Sequence, residues 1–502
     1  MSYHRIRQGE REAWHGRKPR SHRLEVVIGM LHHTPFHPTH EAKAILSTRP
    51  SAPYSPPPRT KPPHPSLSLL TPPKEVLEIA SRLRKAGFEA WCVGGAVRDA
   101  LLGHAHLDWD LATSATPDEV MRTFRRTVPV GIAFGTVGVL DANGRLHEVT
   151  TFRHDVKTDG RHADVQFGAS LEEDLARRDF TINAIAYNPQ TGELLDPFHG
   201  RKDLRAGLVR AVGDAEQRMK EDRLRALRGL RFAARFGFDI DPTTWKAICN
   251  SAPYLTRLSA ERVKQEIEKT MEQVARPSAA FARWREAGAL RVLVGALHDA
   301  PAERFAALDY LPLPAGKRTA ERKLLRIAML LFGNDKRSAE EACRDLRFSN
   351  HDTTWIARLA EARATLGDAV DAAMLREGGV TDAELRRWAA EVGRTASASW
   401  WRLNAALWCA RRAGTEAHDE EASRFAPSSQ RVASVHRRLV RIAYRDPIEL
   451  GDLQVDGEDL AVAGVPKGPE LGATLRRLLD VVIEDPARNT RDELIRIARE
   501  EH

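Results

Sequence analysis

The chain has 502 residues, a net charge of +8 at pH 7 and a hydrophobic fraction of 42%. This length predicts three or four domains, and the composition is typical of a soluble protein. No apolar run approaches the ~20 residues of a membrane-spanning helix, so we expect no membrane partner. The four cysteines are scattered without a Cys-x-x-Cys spacing, which argues against a disulfide framework or a zinc site and for a cytoplasmic location.

The first 73 residues differ from the rest of the chain. They hold 11 basic and 4 acidic residues, with 13 of the 28 prolines and 8 of the 19 histidines. Proline at this density prevents helices and sheets, and few apolar residues remain to bury a core. We predict that residues 1–73 are a disordered Pro/His/Arg-rich extension, with metal chelation by its histidines as the less favoured alternative. Because the remaining chain is nearly neutral, any nucleic-acid surface must be a local patch.

From residue 74 onward the pattern predicts a mixed α/β region. In chain order it indicates a helix in KEVLEIASRLRKAG, a buried strand in FEAWCVGG, a short helix in AVRDALLG and a strand in LDWDLAT. The next helix begins near Pro117 after Ser and Thr caps. FGTVGVLDANGRLHEVTTF predicts a hairpin around a type I′ turn at Asn143-Gly144. After about residue 213, helical periodicity dominates to the end; KGPELG is typical of a helix start or of an ordinary loop.

The candidate catalytic residues lie in GGAVRDALLGHAHLDWD, residues 94–110. Asp108 and Asp110 flank Trp109, and in an extended strand their side chains point to one face. Mg²⁺ binds through one or two carboxylates and completes its shell with water and phosphate oxygens. A glycine turn lets backbone N–H groups approach a phosphate. The aspartate pair alone is more typical of a solvated turn, and the glycine turn alone of a tight connection. Together they predict nucleotidyl transfer.

Two further segments could extend this site. Glu148 could complete the metal site from a neighbouring strand, or equally pair with a nearby arginine. In ARRDFTINAIAY, Arg177 and Arg178 precede an apolar run, and the arginine fork suits a triphosphate. Asp179 could accept a ribose hydroxyl or cap a helix.

Charged residues recur every three positions in KEDRLRALRGLRFAARFGF, at Asp222, Arg225, Arg228 and Arg231. Such a stripe usually means a solvated helix face. Asp222 with an arginine one turn later instead forms a hydrogen-bonding edge: the carboxylate accepts from the exocyclic amine of cytosine or adenine, and the arginine donates to the ring acceptor. Guanine and uracil carry a carbonyl oxygen in place of this exocyclic amine. The pair therefore predicts selection of C and A without a template.

Six motifs occur in the order found in one known family: GGAVRD…LDWD, EVTTFR, RRDFTINA, DPFHGRKDLRAG, EDRLRALRGLRFAARFG and LSAERVKQEIEK. The chain resembles the class II tRNA nucleotidyltransferases, the bacterial CCA-adding enzymes of the polymerase β-like superfamily, closely over residues 75–275 and more weakly beyond. The resemblance implies that Asp108 and Asp110 are catalytic and bind Mg²⁺. It implies nucleotide binding by Gly95, Arg98, Arg178, Asp222, Arg225, Arg228 and Arg231. It also implies tRNA, CTP and ATP as partners.

The fold implied by this resemblance is α+β, a polymerase β-like nucleotidyltransferase head followed by an all-α neck, body and tail. We predict the head at 74–213, a base-recognising neck at 214–275, a body at 276–400 and a tRNA-binding tail at 401–502. The expected activity is template-independent addition of CCA to the tRNA 3′ end. Addition of CC or A alone, poly(A) synthesis and an idle RNA-binding module remain alternatives, although TVPVGIAFGTVGV fits CCA-adding enzymes better than poly(A) polymerases. Because Ala-Pro follows His298-Asp299, we expect no His-Asp phosphohydrolase activity.

Overall fold

The computed structural model describes residues 70–104, 108–158, 163–415 and 426–500. Nearly all of the extension predicted for residues 1–73 lies outside these ranges. No helix within them is long and apolar enough to cross a membrane.

A mixed sheet forms the centre of the amino-terminal region. Within the described residues it contains seven strands: β1 (Ala90–Val93), β2 (Asp110–Thr113), β3 (Thr127–Gly131), β4 (Thr136–Leu140), β5 (Leu146–Thr151), β8 (Ala186–Tyr187) and β9 (Leu194–Leu195). Their order across the sheet is β3-β4-β5-β2-β1-β8-β9. β2 and β5 run parallel, whereas the other neighbours are antiparallel. Two shorter ladders pair β6 (Arg153–Thr158) with β7 (Ala163–Phe167) and β10 (Leu208–Val209) with β11 (Asp239–Ile240).

The predicted hairpin is present, but its turn differs from the prediction. β4 and β5 pair from Thr136 opposite Thr150 to Leu140 opposite Leu146. A type I′ turn needs positive φ at both central residues, and in this turn only Gly144 has it. The side chain of Asp141 instead accepts hydrogen bonds from the backbone N–H groups of Asn143 and Arg145. The type I′ assignment is therefore wrong, because an Asp side chain organises the turn.

Short helices pack around this sheet. They are α1 (Lys74–Lys85), α2 (Gly95–Leu101), α3 (Pro117–Thr123), α4 (Leu171–Ala176) and α5 (Gly200–Ala206). α3 begins as predicted, with Pro117 in its first turn and a capping box between Thr116 and Glu119. This box satisfies backbone donors at the helix start, so the local sequence alone places the helix.

The rest of the described chain is helical. It contains α6 (Ala215–Glu221), α7 (Leu224–Phe236), α8 (Pro242–Ser251), α9 (Ala260–Gln273), α10 (Pro277–Glu286), α11 (Ala289–Leu293), α12 (Ala302–Ala307), α13 (Thr319–Leu331), α14 (Lys336–Asp345), α15 (Asn350–Leu375), α16 (Asp382–Val392), α17 (Ser397–Thr415), α18 (Ser429–Arg445), α19 (Gly457–Val462), α20 (Pro469–Glu484) and α21 (Arg491–Glu500). KGPELG does start a helix, α20. The α+β prediction is confirmed, whereas the four domain boundaries stay predictions.

Besides a smaller cluster that includes Trp91, Phe152 and Leu175, apolar side chains form one large core and a separate carboxyl-terminal one. The large core extends from Leu70 through the sheet and helices to Ile448, and the second lies between Leu453 and Ala498. α7 packs closely against the head within the large core. A Cβ atom at Gly229 would lie only 2.9 Å from Cζ of Phe180, so only glycine permits this approach. This contact fixes α7 against the segment that carries Arg178 and Asp179.

Candidate active site

The first component of the site is the turn that ends β1. Gly94 has φ of 74° and ψ of −132°, a conformation that favours glycine. A Cβ atom there would also lie 3.1 Å from Nη1 of Arg178, and one at Gly95 would lie 3.5 Å from Nη2 of Arg98. Gly94 therefore lets Arg178 approach the backbone at the start of α2, whereas a Cβ atom at position 95 would make an ordinary contact with Arg98.

The second component is the pair of aspartates. Trp109 is 4% exposed and belongs to the core, whereas Asp108 and Asp110 are both exposed. The alternation predicted from sequence is thus confirmed, although the strand itself begins only at Asp110. In the parallel pairing of β2 with β5, Leu111 lies opposite Val149, so Asp110 and Glu148 occupy neighbouring positions one residue earlier.

The charges of these carboxylates act on one another. The dense protein around the Asp110 carboxyl, together with the charges of Glu148 and Asp108, raises the pKa of Asp110 to about 6, although the residue keeps an exposed surface. Asp108 also faces the guanidinium of Arg145 at 3.9 Å. Such crowding of negative charge would be relieved by a bound cation.

The donor set fits a magnesium ion that is completed by its substrate. In the described ranges, no group of three or more His, Cys, Asp or Glu side chains is close enough to enclose a metal by itself. Mg²⁺ needs only one or two carboxylates when phosphate and water oxygens fill its shell. Asp108 and Asp110 meet that requirement. Glu148 has no arginine ion pair among the described residues, and its charge acts on Asp110.

Arg178 lies between the glycine turn and the carboxylates. Its Nη2 donates to Oδ2 of the buried Asp174 at 3.1 Å, and its charge acts on Asp110. Burial would raise the pKa of Asp174, but Arg178 and Arg177 hold it below its ordinary value. Nε of Arg178 is buried with no hydrogen-bond partner among the described residues. Arg178 is thus oriented by an acid and retains a buried Nε donor without a partner among the described residues, beside the candidate carboxylates.

Asp179 makes contacts inside the protein that the sequence did not predict. The short 3₁₀ turn that follows begins after Phe180, so the helix-cap interpretation is wrong. Asp179 accepts hydrogen bonds from Arg228 Nε at 2.8 Å, from Asn183 at 2.9 Å and from the N–H of Phe180 at 2.8 Å. Burial opposes ionisation, yet Arg228 and these donors lower the pKa of Asp179 to about 2. The residue joins the head to α7, and ribose binding by it stays a prediction.

Arg98 is held inside the protein. It is 3% exposed, donates to Asp99 Oδ1 at 2.7 Å and to Asn183 Oδ1 at 2.5 Å, and lies over the rings of Phe232 and Phe236. Direct nucleotide contact by its guanidinium would require these bonds to open. In the described conformation Arg98 supports the wall behind the glycine turn.

The arginine stripe on α7 is not a solvated face. Each of its arginines meets an acidic partner: Arg225 binds Glu221 at 2.7 Å, Arg228 binds Asp179 at 2.7 Å, Arg231 binds Glu266 at 2.7 Å and Arg235 binds Asp99 at 2.8 Å. Nη2 of Arg225 also donates to the carbonyl of Arg177 at 2.9 Å. The stripe therefore ties α7 to the head and to α9.

Asp222 and Arg225, predicted to form a base-reading edge, each have a protein partner in this structure, and base reading by them stays a prediction. Oδ1 of Asp222 accepts from the N–H of Leu224, the first residue of α7, and its other oxygen accepts from Arg262 Nη2 at 2.7 Å. The Asp222–Arg262 pair is about one-third exposed, whereas Arg225 is only 9% exposed. Sequence reasoning assigned no role to Arg262. The available signal was its place three residues after Ser259, the cap of α9, in a motif already recognised.

A solved structure with this architecture identifies the family. The crystal structure of the Bacillus stearothermophilus CCA-adding enzyme in complex with CTP is 31% identical, with a TM-score of 0.64, over 85% of this chain and 97% of that chain. The chain belongs to the CCA-adding enzyme family. The Thermotoga maritima CCA-adding enzyme complexed with tRNA_CCA has a TM-score of 0.56 over 85% of this chain and 95% of its own, but at 20% identity it shows the fold alone.

Sequence comparisons agree over the amino-terminal part. Residues 90–210 match the poly A polymerase head domain, and residues 237–300 match the probable RNA and SrmB-binding site of polymerase A. The CCA-adding enzyme of Leuconostoc mesenteroides is 50% identical over 40% of this chain and 50% of its own length. That of Streptococcus pyogenes is 48% identical over 41% of this chain and 52% of its own. The chain thus spans about half the length of the curated relatives it matches.

Proposed function

We propose that the protein adds C, C and A to the 3′ end of tRNA, using CTP and ATP and no nucleic-acid template. The observation that carries this proposal is the crowding of Asp108 and Asp110 beside the Gly94 turn and Arg178. This arrangement suits a cation and a triphosphate together. Family membership supports the choice of CTP, ATP and tRNA.

The residues at this end of the site hold the reacting groups. Asp108 and Asp110 would hold one or two Mg²⁺ ions. When bound, Mg²⁺ would lower the pKa of the attacking 3′-hydroxyl and offset the negative charge of the departing pyrophosphate. Arg178 binds the triphosphate, oriented by Asp174, and offsets charge that grows in the transition state. The backbone at Gly94 and Gly95 approaches the phosphates without steric hindrance.

The residues at the other end select the base. Asp222 accepts from the exocyclic amine of cytosine or adenine, and Arg225 donates to the neighbouring ring acceptor. Because a carboxylate accepts several hydrogen bonds, Asp222 can keep Arg262 while it binds the base, whereas Arg225 must turn part of its guanidinium from Glu221 toward the base. Arg228 and Arg231 fix the helix that carries Arg225. Direct contacts of Arg98, Arg228 and Arg231 with nucleotide stay predictions.

Incorporation of labelled nucleotide into tRNA that lacks its terminal CCA tests the proposal. We expect two C residues from CTP alone, none from ATP alone, and completion of CCA with both, all dependent on Mg²⁺ and abolished by EDTA. Addition that stops after CC, addition of A only to tRNA ending in CC, or long A tracts would each replace the proposal by the corresponding activity. An absence of incorporation, with tRNA binding retained, would leave an RNA-binding module.

A further inference from the structure

An aromatic side chain is exposed on the neck beside the base-selecting residues. Tyr254 lies in the 3₁₀ turn Ala252–Arg257, between α8 and α9, and 45% of its surface is exposed. The guanidinium carbons of Arg223 and Arg257 lie 4.7 Å and 5.3 Å from the centre of its ring. Two cations and an exposed aromatic ring thus form one cluster, the Tyr254 platform.

A contact with the protein interior holds the Tyr254 platform in place. Nη1 of Arg223 donates at 3.2 Å to Oγ of Ser251, which is completely buried. Burial and the charge of Arg257 lower the pKa of Arg223, while Tyr254 and Glu216 act in the opposite direction. Both guanidinium groups can attract a phosphate, and the exposed part of the ring with its arginine planes can stack against a base.

The position of the Tyr254 platform connects it to the active site. Arg223 directly follows Asp222 in the chain, and Arg262, the partner of Asp222, lies in the first turn of the helix that follows Tyr254. The turn between α8 and α9 therefore carries the platform at one end and the partner of the base-selecting aspartate at the other. The platform and Asp222 are thus joined by neighbouring residues of the chain and by the Asp222–Arg262 pair.

We propose that Tyr254, with Arg223 and Arg257, stacks an unpaired base of the RNA strand whose 3′ end is extended. Single-stranded RNA is recognised by stacking of bases on aromatic rings and arginine planes, with arginines contacting the phosphates. The incoming triphosphate is held elsewhere, by the glycine turn and Arg178. The platform therefore acts on RNA and not on CTP or ATP. This inference rests on the proposed function, because it assumes that RNA is the substrate.

Steady-state addition by Tyr254→Ala and Tyr254→Phe tests the platform. We expect the KM for tRNA to rise roughly tenfold in Tyr254→Ala, because each stacked base loses a contact of that order. The KM for CTP should stay within twofold of the wild-type value. Tyr254→Phe keeps the ring and should restore the KM for tRNA. Leu77→Ala is the matched control, since Leu77 is an exposed apolar residue of α1 in the head.

Two results would overturn the platform. One is an unchanged KM for tRNA in Tyr254→Ala. The other is an equal rise in both variants, which would exclude stacking by the ring. Photocrosslinking with the wild-type protein gives a second measurement that needs no variant: RNA with 5-iodouridine near its 3′ end should label the peptide that contains Tyr254, and labelling only elsewhere would contradict the proposal.

Binding of a short single-stranded RNA, measured by fluorescence anisotropy without nucleotide, separates this proposal from the activity. Weaker binding by Tyr254→Ala than by Tyr254→Phe supports the platform even if no nucleotide is incorporated. Normal incorporation together with equal RNA binding by wild-type protein and Tyr254→Ala overturns the platform and leaves the proposed activity intact.

Discussion

The carboxylate end of the site and the arginine helix α7 differ in whether the protein itself neutralises their charges. Asp108 and Asp110 are exposed and lie close to Glu148, and the surrounding protein with the charges of Glu148 and Asp108 raises the pKa of Asp110. Along α7, each arginine of the stripe is paired with an acid of the head, of α6 or of α9. The first region is arranged for a ligand that would neutralise it, whereas the second is largely neutralised by the protein. We infer that charge at the carboxylate end serves chemistry and that most charge on α7 serves position.

The strongest test of this contrast is Asp110→Ala. We expect nucleotide addition to fall on the order of 10³-fold, because a group that stabilises transition-state charge is removed. Single-turnover incorporation from CTP measures it. The matched variant Asp118→Ala replaces an aspartate of α3 outside the site and should add nucleotide normally. Near-normal addition by Asp110→Ala would mean that the metal site lies elsewhere.

On α7, the largest expected effect is on stability. Arg231→Ala leaves the buried carboxylate of Glu266 without its arginine, so we expect the free energy of unfolding to fall by about 3 kcal/mol. Denaturant unfolding of Arg231→Ala and of the exposed control Arg205→Ala measures the difference. If the free energy of unfolding falls less in Arg231→Ala than in Arg205→Ala, the arginines of α7 do not hold the helix in place. The inferred difference between the two regions would then be wrong.

Arg262→Ala tests the partly exposed Asp222–Arg262 pair beside α7. Without Arg262 the Asp222 carboxylate loses its orienting partner, and we expect discrimination against UTP to fall about threefold, the size of a partly exposed ion pair. The ratio of kcat/KM for CTP and UTP measures it, with Arg262→Lys as the conservative variant. An unchanged ratio would show that Arg262 does not orient Asp222.

The smallest expected effect is a gain in stability at the carboxylate end. The pKa of Asp110 in the folded protein, about 6, lies above its ordinary value of 3.8, so the folded state binds the proton more tightly and loses stability as pH rises through this interval. Asparagine does not ionise, so Asp110→Asn does not lose stability over this pH interval. Its melting temperature in EDTA should exceed the wild-type value at pH 7.5, and the difference should vanish below about pH 4, where the aspartate is protonated in both states. A lower melting temperature at pH 7.5 would contradict the mutual repulsion.

The sequence predicted the carboxylate end better than the arginine helix for a physical reason. The common face of Asp108 and Asp110 follows from strand alternation around Trp109, which is local. The partners of Arg228 and Arg231 come from distant segments, and only packing decides them. The edge of Asp222 and Arg225 was inferred from spacing alone, and tertiary partners gave each residue a different contact. No periodicity marked Tyr254, since a lone aromatic residue in a turn has no pattern.

The close approach of Gly229 to Phe180 leaves no room for a side chain between the segment that carries Arg178 and the helix that carries Arg225. An added methyl group at Gly229 would push these two parts of the protein apart. Under the proposed function, Arg178 binds the triphosphate and Arg225 the base, so this one packing contact would set how far apart the two ends of the nucleotide are held.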